Sequence, residues 1–138
     1  MATSLSTDDS QLRQTFRDFI SGSHILHYHR YCHISIASCT LSDKIYRVLD
    51  AYGHLSVRHP HHHDRFFMSR YIAPGTISSE QDLVDYYVDN AEPVDPSAPK
   101  GYSERCIHSE ILKRFKDVNA VIHSHSEAVV PYTISGVP

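Results

Sequence analysis

The sequence predicts a single mixed α/β domain. Two segments carry apolar residues at helical spacing, one from residue 7 to about 28 and the other from 104 to 116. Short segments of alternating or β-branched apolar residues predict strands. These segments are 54–58, 65–70, 84–88 and 120–122. A length of 138 residues is typical of one domain rather than two.

The composition excludes several functional classes. The net charge is −3 with histidine neutral, the pI is about 6.4 and no basic stripe is present, so we expect no nucleic-acid partner. No apolar run reaches bilayer length and the N-terminus lacks a signal-peptide pattern, so we expect no membrane association. Three cysteines are an odd number, which argues against a disulfide framework and favours a reducing, cytoplasmic location.

The N-terminal segment predicts a tail followed by an amphipathic helix. Residues 1–7 are small and polar, and we expect a disordered tail there. Ser6 or Thr7 can cap the helix that follows, which extends to about Tyr28. Four apolar residues at helical spacing predict its buried face. They are Leu12, Phe16, Phe19 and Ile20.

A turn and a short strand follow in the segment Gly53 to Arg58. Gly53 suits a sharp change of backbone direction. The side chains of His54, Ser56 and Arg58 alternate along the chain and therefore share one face of the strand. Two interpretations of Arg58 are open at this point: contact with a substrate, or a solvated or internally paired charge.

The next segment contains loops, a strand and a hairpin. The run His59–His63 includes a proline and predicts an exposed loop rather than a metal site. The strand after it ends near Arg70, whose guanidinium suits an anionic partner such as a carboxylate. A short helical turn is predicted to start at 78–80 and to end before Leu83, and a hairpin turn at 89–92 follows the third strand.

The segment from Tyr102 to Val130 carries the residues best suited to chemistry. Ser103 can cap a helix that Glu104 opens, and a buried strand then leads into His123-Ser124-His125. Residues two apart on a strand point to the same side and rise by roughly 6.6 Å. His123 and His125 can therefore close on one divalent cation, and a helix that packs antiparallel to the strand brings Glu104 near them.

Two observations limit this interpretation. A His-x-His pair also arises by chance, and this chain contains 12 histidines. His108 lies one turn after Glu104 on the same helix face, where it can orient the carboxylate or simply pack in the core.

Several motifs in order resemble the class II aldolase/adducin family. The resemblance rests on Ser103-Glu104-Arg105 with Ile107-His108, and on Ala120 to Ser126, which reads AVIHSHS. Upstream, Asp50 to Arg58 reads DAYGHLSVR and resembles the family's GxxSxR turn, although many aldolases carry Asn at the position of His54. Asp64 to Arg70, which reads DRFFMSR, resembles the strand that follows that turn.

The resemblance implies a three-layer α/β/α class II aldolase-like domain with a mainly antiparallel central sheet. Residues 8–138 would form a partial domain, with an atypical insertion at 31–47 that interrupts the family pattern. The family's third histidine ligand comes from well beyond the His-x-His, and no residue after His125 is a histidine. We therefore expect a C-terminally incomplete domain with an exposed sheet edge.

The resemblance also implies a function. It predicts a divalent-metal-dependent lyase that performs aldol cleavage or decarboxylation of a small hydroxylated substrate bearing a carboxylate or phosphate. Glu104 would be the acid/base residue, and His123, His125 and Glu104 would bind Zn²⁺ or another divalent ion such as Mn²⁺ or Fe²⁺. Residues predicted to bind the substrate are Gly53, Ser56, Arg58, Arg70 and Ser103. A homo-oligomer, commonly a tetramer in such aldolases, is expected.

Two other functions fit the same resemblance. The fold also occurs in adducin, where it serves binding or scaffolding rather than lyase chemistry. Two histidines and one carboxylate also suit Fe(II), as in a non-haem iron oxygenase. The metal that copurifies would separate these possibilities, because the lyase favours zinc or manganese and a scaffold needs none.

Overall fold

The structure is a computed structural model that describes residues 7–28, 52–125 and 130–136. These described residues contain two helices and four strands. They are α1 (Thr7–Tyr28), β1 (His54–Arg58), β2 (Arg65–Ser69), β3 (Leu83–Tyr87), α2 (Arg105–Arg114) and β4 (Ala120–His123). Three 3₁₀ turns lie between or after them, at Pro74–Thr76, Glu80–Asp82 and Val130–Thr133. These bounds agree closely with the segments predicted from sequence periodicity.

The four strands form one antiparallel sheet in the order β3-β2-β1-β4. Strand β1 lies inside the sheet, and β4 pairs with it although a helix separates the two in sequence. In that pairing His54 lies opposite His123, and Ser56 lies opposite Val121. The predicted mixed α/β fold with an antiparallel sheet is thus confirmed.

Helix α1 covers one face of the sheet. Phe19 is buried against Leu55 and Ile77, and the Phe16 ring meets the Phe67 ring at 4.9 Å in an edge-to-face arrangement. The ring of His24 donates a hydrogen bond of 2.6 Å to the carbonyl of Ile77, which fixes the other end of the interface. The apolar face predicted for this helix therefore forms the contact with the sheet.

Helix α2 covers the opposite face, which completes three layers. Leu112 of α2 is fully buried in a cluster with strand residues that alternate with those facing α1. The strand members of this cluster are Phe66, Met68, Val84, Tyr86 and Val121. The edge strand β4 leaves Ile122 48% exposed on the side of the sheet that faces α1.

Arg58 ties β1 to the C-terminal end of α2. Its side chain is buried and donates hydrogen bonds through all three guanidinium nitrogens to backbone carbonyls. The acceptors are the carbonyls of His63, Leu112, Phe115 and Val118, at 2.7 to 3.2 Å. Two of them belong to the end of α2, where carbonyls lack partners within the helix and attract a cation.

The loop before α2 depends on Gly101. A Cβ at this position would collide with the hydroxyl oxygen of Tyr86. Only glycine therefore allows the loop to lie on the buried Tyr86 ring, because it has no side chain to displace. The backbone of Gly101 also pairs with that of Arg70, so the loop leading to Glu104 is attached to the end of β2.

The 3₁₀ turn Glu80–Asp82 is held by a capping box. The carboxylate of Asp82 accepts hydrogen bonds from the backbone N–H groups of Ser78 and Ser79, and from Arg70 Nε at 2.9 Å. These donors hold the pKa of Asp82 at about 2, with the Ser78 backbone N–H as the largest cause. The helical turn predicted to start at 78–80 and to end before Leu83 is thus present, with Ser79 as its N-cap residue.

Two predictions fall on segments that the structure does not describe. The insertion at 31–47 lies outside the described residues, as does the predicted N-terminal tail except for Thr7, where α1 begins. Within the described residues, no helix combines the length and the apolar character needed to cross a membrane.

Candidate metal centre

Three elements meet at the end of the sheet nearest the start of α2. β1 begins at His54, β4 ends at His123, and the two residues are paired across the strands. Glu104 is the N-cap residue of α2, directly before the first helical turn. The predicted cap at Ser103 is wrong, because the helix begins one residue later and its N-cap makes no side-chain capping hydrogen bond.

The structure places His123 close to each of the other two residues predicted to bind metal. The Nε2 atoms of His123 and His125 lie 3.0 Å apart, and His123 Nε2 lies 3.9 Å from Glu104 Oε2. The side chains of His123 and Glu104 are 26% and 45% exposed, so this group opens to solvent. A helix that returns to the strand does bring its first turn to the His-x-His segment, as the sequence predicted.

His54 joins this group, although the sequence did not indicate it as a possible ligand. Its Nε2 lies 2.8 Å from Glu104 Oε2, and its ring stacks on that of His123 with centroids 4.8 Å apart. Among the described residues, the ligand atoms of His54, Glu104 and His123 all lie within 4.8 Å of one another. The signal in the sequence was weak, because the contact arises only from strand pairing between distant segments.

Burial and hydrogen bonding control the protonation of the group. Burial lowers the pKa of His54, and the hydrogen bond to Glu104 opposes this effect only in part. The same hydrogen bond from His54 is the main cause that lowers the pKa of Glu104. The contact is therefore a hydrogen bond from a neutral imidazole to an ionised carboxylate. Burial also lowers the pKa of His108 to about 3, so that ring is neutral as well.

The donor chemistry fits a divalent cation of the zinc, manganese or iron type. Neutral imidazole nitrogens and a carboxylate oxygen are the ligands these ions take in proteins. Two ring nitrogens 3.0 Å apart can both reach one ion at a usual Zn–N distance of about 2.0 to 2.1 Å. The described residues whose ligand atoms lie mutually close are His54, Glu104 and His123, and His125 lies within reach of His123. Metal binding by His123, His125 and Glu104 stays a prediction.

The residues predicted to bind substrate from β1 do not face solvent. Ser56 is fully buried, and its hydroxyl lies 2.7 Å from His108 Nδ1. Arg58 is 4% exposed and its guanidinium donates hydrogen bonds to backbone carbonyls. The structure therefore gives it a structural role in place of the predicted substrate contact. Gly53, before the strand, is also buried. The alternative of an internally paired Arg58 is the one the structure favours, with carbonyls rather than an acid as partners.

The two remaining predicted substrate residues are more accessible. The Arg70 side chain is 43% exposed and forms an ion pair with Asp82 at 2.9 Å. Ser103 is exposed next to Glu104. Substrate binding by Arg70 and Ser103 stays a prediction, and Arg70 would have to share its guanidinium between Asp82 and a ligand.

The histidine run differs in part from the exposed loop predicted for it. His62 and His63 are exposed, but His59 is 7% exposed and its ring lies 4.9 Å from that of Phe67. Its Nδ1 accepts hydrogen bonds from the backbone N–H groups of His61 and His62. His59 thus closes the turn in the manner of a capping side chain, which the sequence pattern did not reveal.

An aromatic cavity lies beside the group. Its volume is about 170 Å³, and its walls include the rings of Tyr52, Tyr71 and Tyr102. Tyr102 connects cavity and site, because its ring centroid lies 4.6 Å from that of His54. Its hydroxyl donates a short hydrogen bond to the carbonyl of Ile72, which fixes the ring in place.

Fold and site together define a three-layer α/β domain with potential metal ligands at one end of its antiparallel sheet. Residues 37–138 match the model of the class II aldolase and adducin N-terminal domain. This match covers most of the chain, and the chain therefore belongs to that family. Its first matched residue lies within the predicted insertion at 31–47, which stays a prediction.

One curated relative is a decarboxylase, tropJ, from Talaromyces stipitatus. It is 54% identical over 121 residues, which cover 88% of this chain and 39% of that protein. The chain therefore spans well under half the length of this relative.

Solved structures show the same fold. The chain is similar to an L-fuculose 1-phosphate aldolase from Glaciozyma antarctica, with a TM-score of 0.67, 18% identity, and coverage of 100% of this chain and 50% of that one. It is also similar to an aldolase II superfamily protein from Pseudomonas syringae, with a TM-score of 0.62, 21% identity, and coverage of 92% and 43%. At these identities the likeness shows the fold alone.

Proposed function

We propose that this domain belongs to a divalent-metal-dependent lyase that decarboxylates a small hydroxylated acid. The observation that carries the proposal is the position of His123, whose Nε2 lies 3.0 Å from His125 Nε2 and 3.9 Å from Glu104 Oε2 at a solvent-facing end of the sheet. Decarboxylation is favoured over aldol cleavage because the relative at 54% identity is named a decarboxylase.

In this proposal His123, His125 and Glu104 hold the ion, which is zinc or another divalent metal such as manganese or iron. When bound, such an ion acts as a Lewis acid that stabilises negative charge developing on oxygens of the substrate. A carboxylate and a neighbouring hydroxyl or carbonyl oxygen are the substrate groups that suit this chemistry. The location expected from the cysteine content is the cytoplasm, and a homo-oligomer is the expected assembly.

Glu104 is the residue best placed to move protons. Its Oε2 is fixed by His54, while 45% of its side chain is exposed to solvent and thus to a substrate. The hydrogen bond from His54 lowers the pKa of Glu104, so the carboxylate is ionised near neutral pH and can accept a proton. When the bond to the carboxyl carbon breaks and CO₂ leaves, the electron pair stays on the adjacent carbon. A proton that Glu104 has first taken from solvent can then be delivered to that carbon, which returns Glu104 to the carboxylate form.

A neutral imidazole at His54 helps Glu104 to accept a proton. Burial lowers the pKa of His54, so it can donate a hydrogen bond to Glu104 without carrying a charge. A neutral neighbour leaves Glu104 more basic than a cation would, which favours proton acceptance. Tyr102 is buried and its ring packs on that of His54, an apolar contact that also favours the neutral form of the imidazole.

A CO₂-release assay on the purified protein tests the proposal. Wild-type protein supplied with Mn²⁺ or Zn²⁺ is incubated with a panel of ¹³C-carboxyl-labelled hydroxylated aromatic and aliphatic acids. We expect ¹³CO₂ release with at least one acid, its loss in the presence of a chelator, and its loss in Glu104→Gln. Release of an aldehyde without CO₂ would indicate aldol cleavage instead. Turnover that persists in Glu104→Gln would contradict the proposed role of Glu104.

A further inference from the structure

A row of hydrogen bonds runs through the core to Glu104. The Ser56 hydroxyl lies 2.7 Å from His108 Nδ1, His108 Nε2 lies 2.7 Å from His54 Nδ1, and His54 Nε2 lies 2.8 Å from Glu104 Oε2. The first three members are at most 1% exposed, whereas Glu104 is nearly half exposed. The row therefore links a buried hydroxyl to a carboxylate that a substrate can reach.

The chemistry of the groups determines where each proton lies. An ionised carboxylate only accepts, so the proton on His54 must be on Nε2. A neutral imidazole has one N–H, so His54 Nδ1 accepts and His108 Nε2 donates to it. By the same rule His108 Nδ1 accepts, and the Ser56 hydroxyl donates. Every hydrogen bond in the row then points towards Glu104.

The opposite direction would give His54 a different role. With its proton on Nδ1, His54 would present a lone pair at Nε2 and could bind a metal beside Glu104 and His123. His108 would then have to donate to Ser56, and the Ser56 hydroxyl would need another buried acceptor. Among the described residues, the Ser56 hydroxyl makes one side-chain hydrogen bond, to His108 Nδ1. The first direction is the one that leaves no buried group unsatisfied.

We propose that Ser56 and His108 are positioning residues that act through His54. Together with the Glu104 carboxylate, which requires a donor at Nε2, they keep the proton of His54 on Nε2, so that His54 holds Glu104 Oε2 and does not bind the metal. The consequence for the reaction rests on the proposed function, whereas the proton positions do not. Outer partners of this kind commonly contribute about 10- to 100-fold to activity or metal affinity.

Imidazole ¹⁵N spectroscopy tests the proton positions directly. Long-range ¹H–¹⁵N correlation spectra of the labelled, metal-free protein report which ring nitrogen carries the proton, and the missing signals in His54→Gln and His108→Gln assign the two rings. We expect both rings to be protonated on Nε2. A wild-type His54 protonated on Nδ1 would overturn the proposal without any further variant.

Matched variants test the coupling. In His108→Gln the side-chain amide can still donate towards His54 Nδ1, whereas His108→Leu fills the space without a donor. We expect His54 to keep its Nε2 proton in the glutamine variant and to become a tautomer mixture in the leucine variant. Ser56→Ala gives a milder test if the leucine variant does not fold, and should produce a tautomer mixture at His108. Identical His54 spectra in the leucine and glutamine variants would overturn the proposal.

Kinetics separate this inference from the proposed function. We expect kcat to fall about 10- to 100-fold in His108→Leu with KM and metal content unchanged, and to recover to within about threefold of wild type in His108→Gln. A protein that releases no CO₂ yet shows Nε2-protonated His54 would contradict the proposed function and support the row. An active enzyme with His54 protonated on Nδ1 would do the reverse.

Discussion

The two ends of β1 hold the two ends of α2, and they do so with different kinds of partner. At one end Arg58 donates to backbone carbonyls, including those of Leu112 and Phe115 at the C-terminal end of the helix. At the other end His54 contacts the side chains of His108 and Glu104 near the helix N-terminus. Both residues are buried polar groups on the same face of the same strand.

Within the five residues of β1, Arg58 has a role in stability and His54 contacts the candidate site. The partners of Arg58 are fixed by the fold, and they satisfy carbonyls that a helix end leaves free. The partners of His54 are side chains, and the last of them faces solvent with an ionised carboxylate. Removal of a group at the first end should therefore change stability, and removal at the second end should change activity.

The largest expected effect is at Glu104. Glu104→Gln keeps the shape and a hydrogen-bond acceptor but removes the proton-accepting oxygen, so CO₂ release should fall by about 10² to 10⁴-fold. Because the side chain is 45% exposed, the free energy of unfolding should change little. Steady-state kinetics and urea denaturation of the same preparation measure the two quantities. An unfolded variant would contradict the assignment of this end to chemistry.

The second effect is at Arg58 and should appear in stability alone. Arg58→Met keeps much of the volume but leaves buried carbonyls without donors, which should lower the free energy of unfolding by roughly 2–4 kcal/mol. Urea denaturation followed by circular dichroism measures it. The matched control is Arg58→Lys, which retains a charge but has fewer hydrogen-bond donors. Its free energy of unfolding should lie between those of wild type and Arg58→Met. A stable Arg58→Met protein that has lost activity would reverse the comparison.

The third effect is a pH dependence at His59. Burial holds the pKa of His59 at about 4, below its ordinary value of 6.5. Between these values the unfolded chain binds a proton that the native state does not, so stability falls as the pH drops from 6.5 to 4. Because the loop is close to solvent, we expect a loss of about 1 kcal/mol. His59→Asn keeps an acceptor but does not titrate, and its stability should vary less over this range. If the stability of wild type and of His59→Asn fell equally between pH 6.5 and pH 4, His59 would not be the cause of the pH dependence.

The smallest effect is at Asp82. Its pKa of about 2 lies below the ordinary 3.8, so its contribution is fully present above about pH 4 and is lost as the pH falls towards 2. Asp82→Asn should cost about 1 kcal/mol, a usual value for a capping residue, and should leave metal content unchanged. Thermal denaturation at pH 7 and pH 3 measures the difference, which should shrink at the lower pH.

Much of the fold and part of the site could be predicted from the sequence. Helical and strand periodicity located α1, α2 and all four strands, and local spacing indicated Glu104, His123 and His125 as a group. The position of His54 could not be predicted in this way. Its burial beside His123 comes from the pairing of β1 with β4, and no local pattern in either segment records that pairing.

The surroundings of His59 and Arg58 could not be predicted from the sequence, for the same physical reason. The sequence pattern predicts that His59 is exposed like its neighbours, but it is buried against the Phe67 ring and accepts hydrogen bonds from two backbone N–H groups. For Arg58 the sequence leaves substrate contact and an internally paired charge open, and the carbonyls at the end of α2 decide for the internal role. In both cases the deciding partners are backbone groups, whose positions depend on the tertiary fold rather than on residue type.

The most direct test of the central claim is the metal content of the purified protein after dialysis against Zn²⁺, Mn²⁺ or Fe²⁺ and removal of free ion. We expect about one divalent ion per chain in wild type and in Arg58→Lys, because Arg58 belongs to the architecture. The double variant His123→Gln/His125→Gln should retain the fold but bind no ion. A wild-type protein that binds none, or a double variant that binds as well as wild type, would contradict the claim.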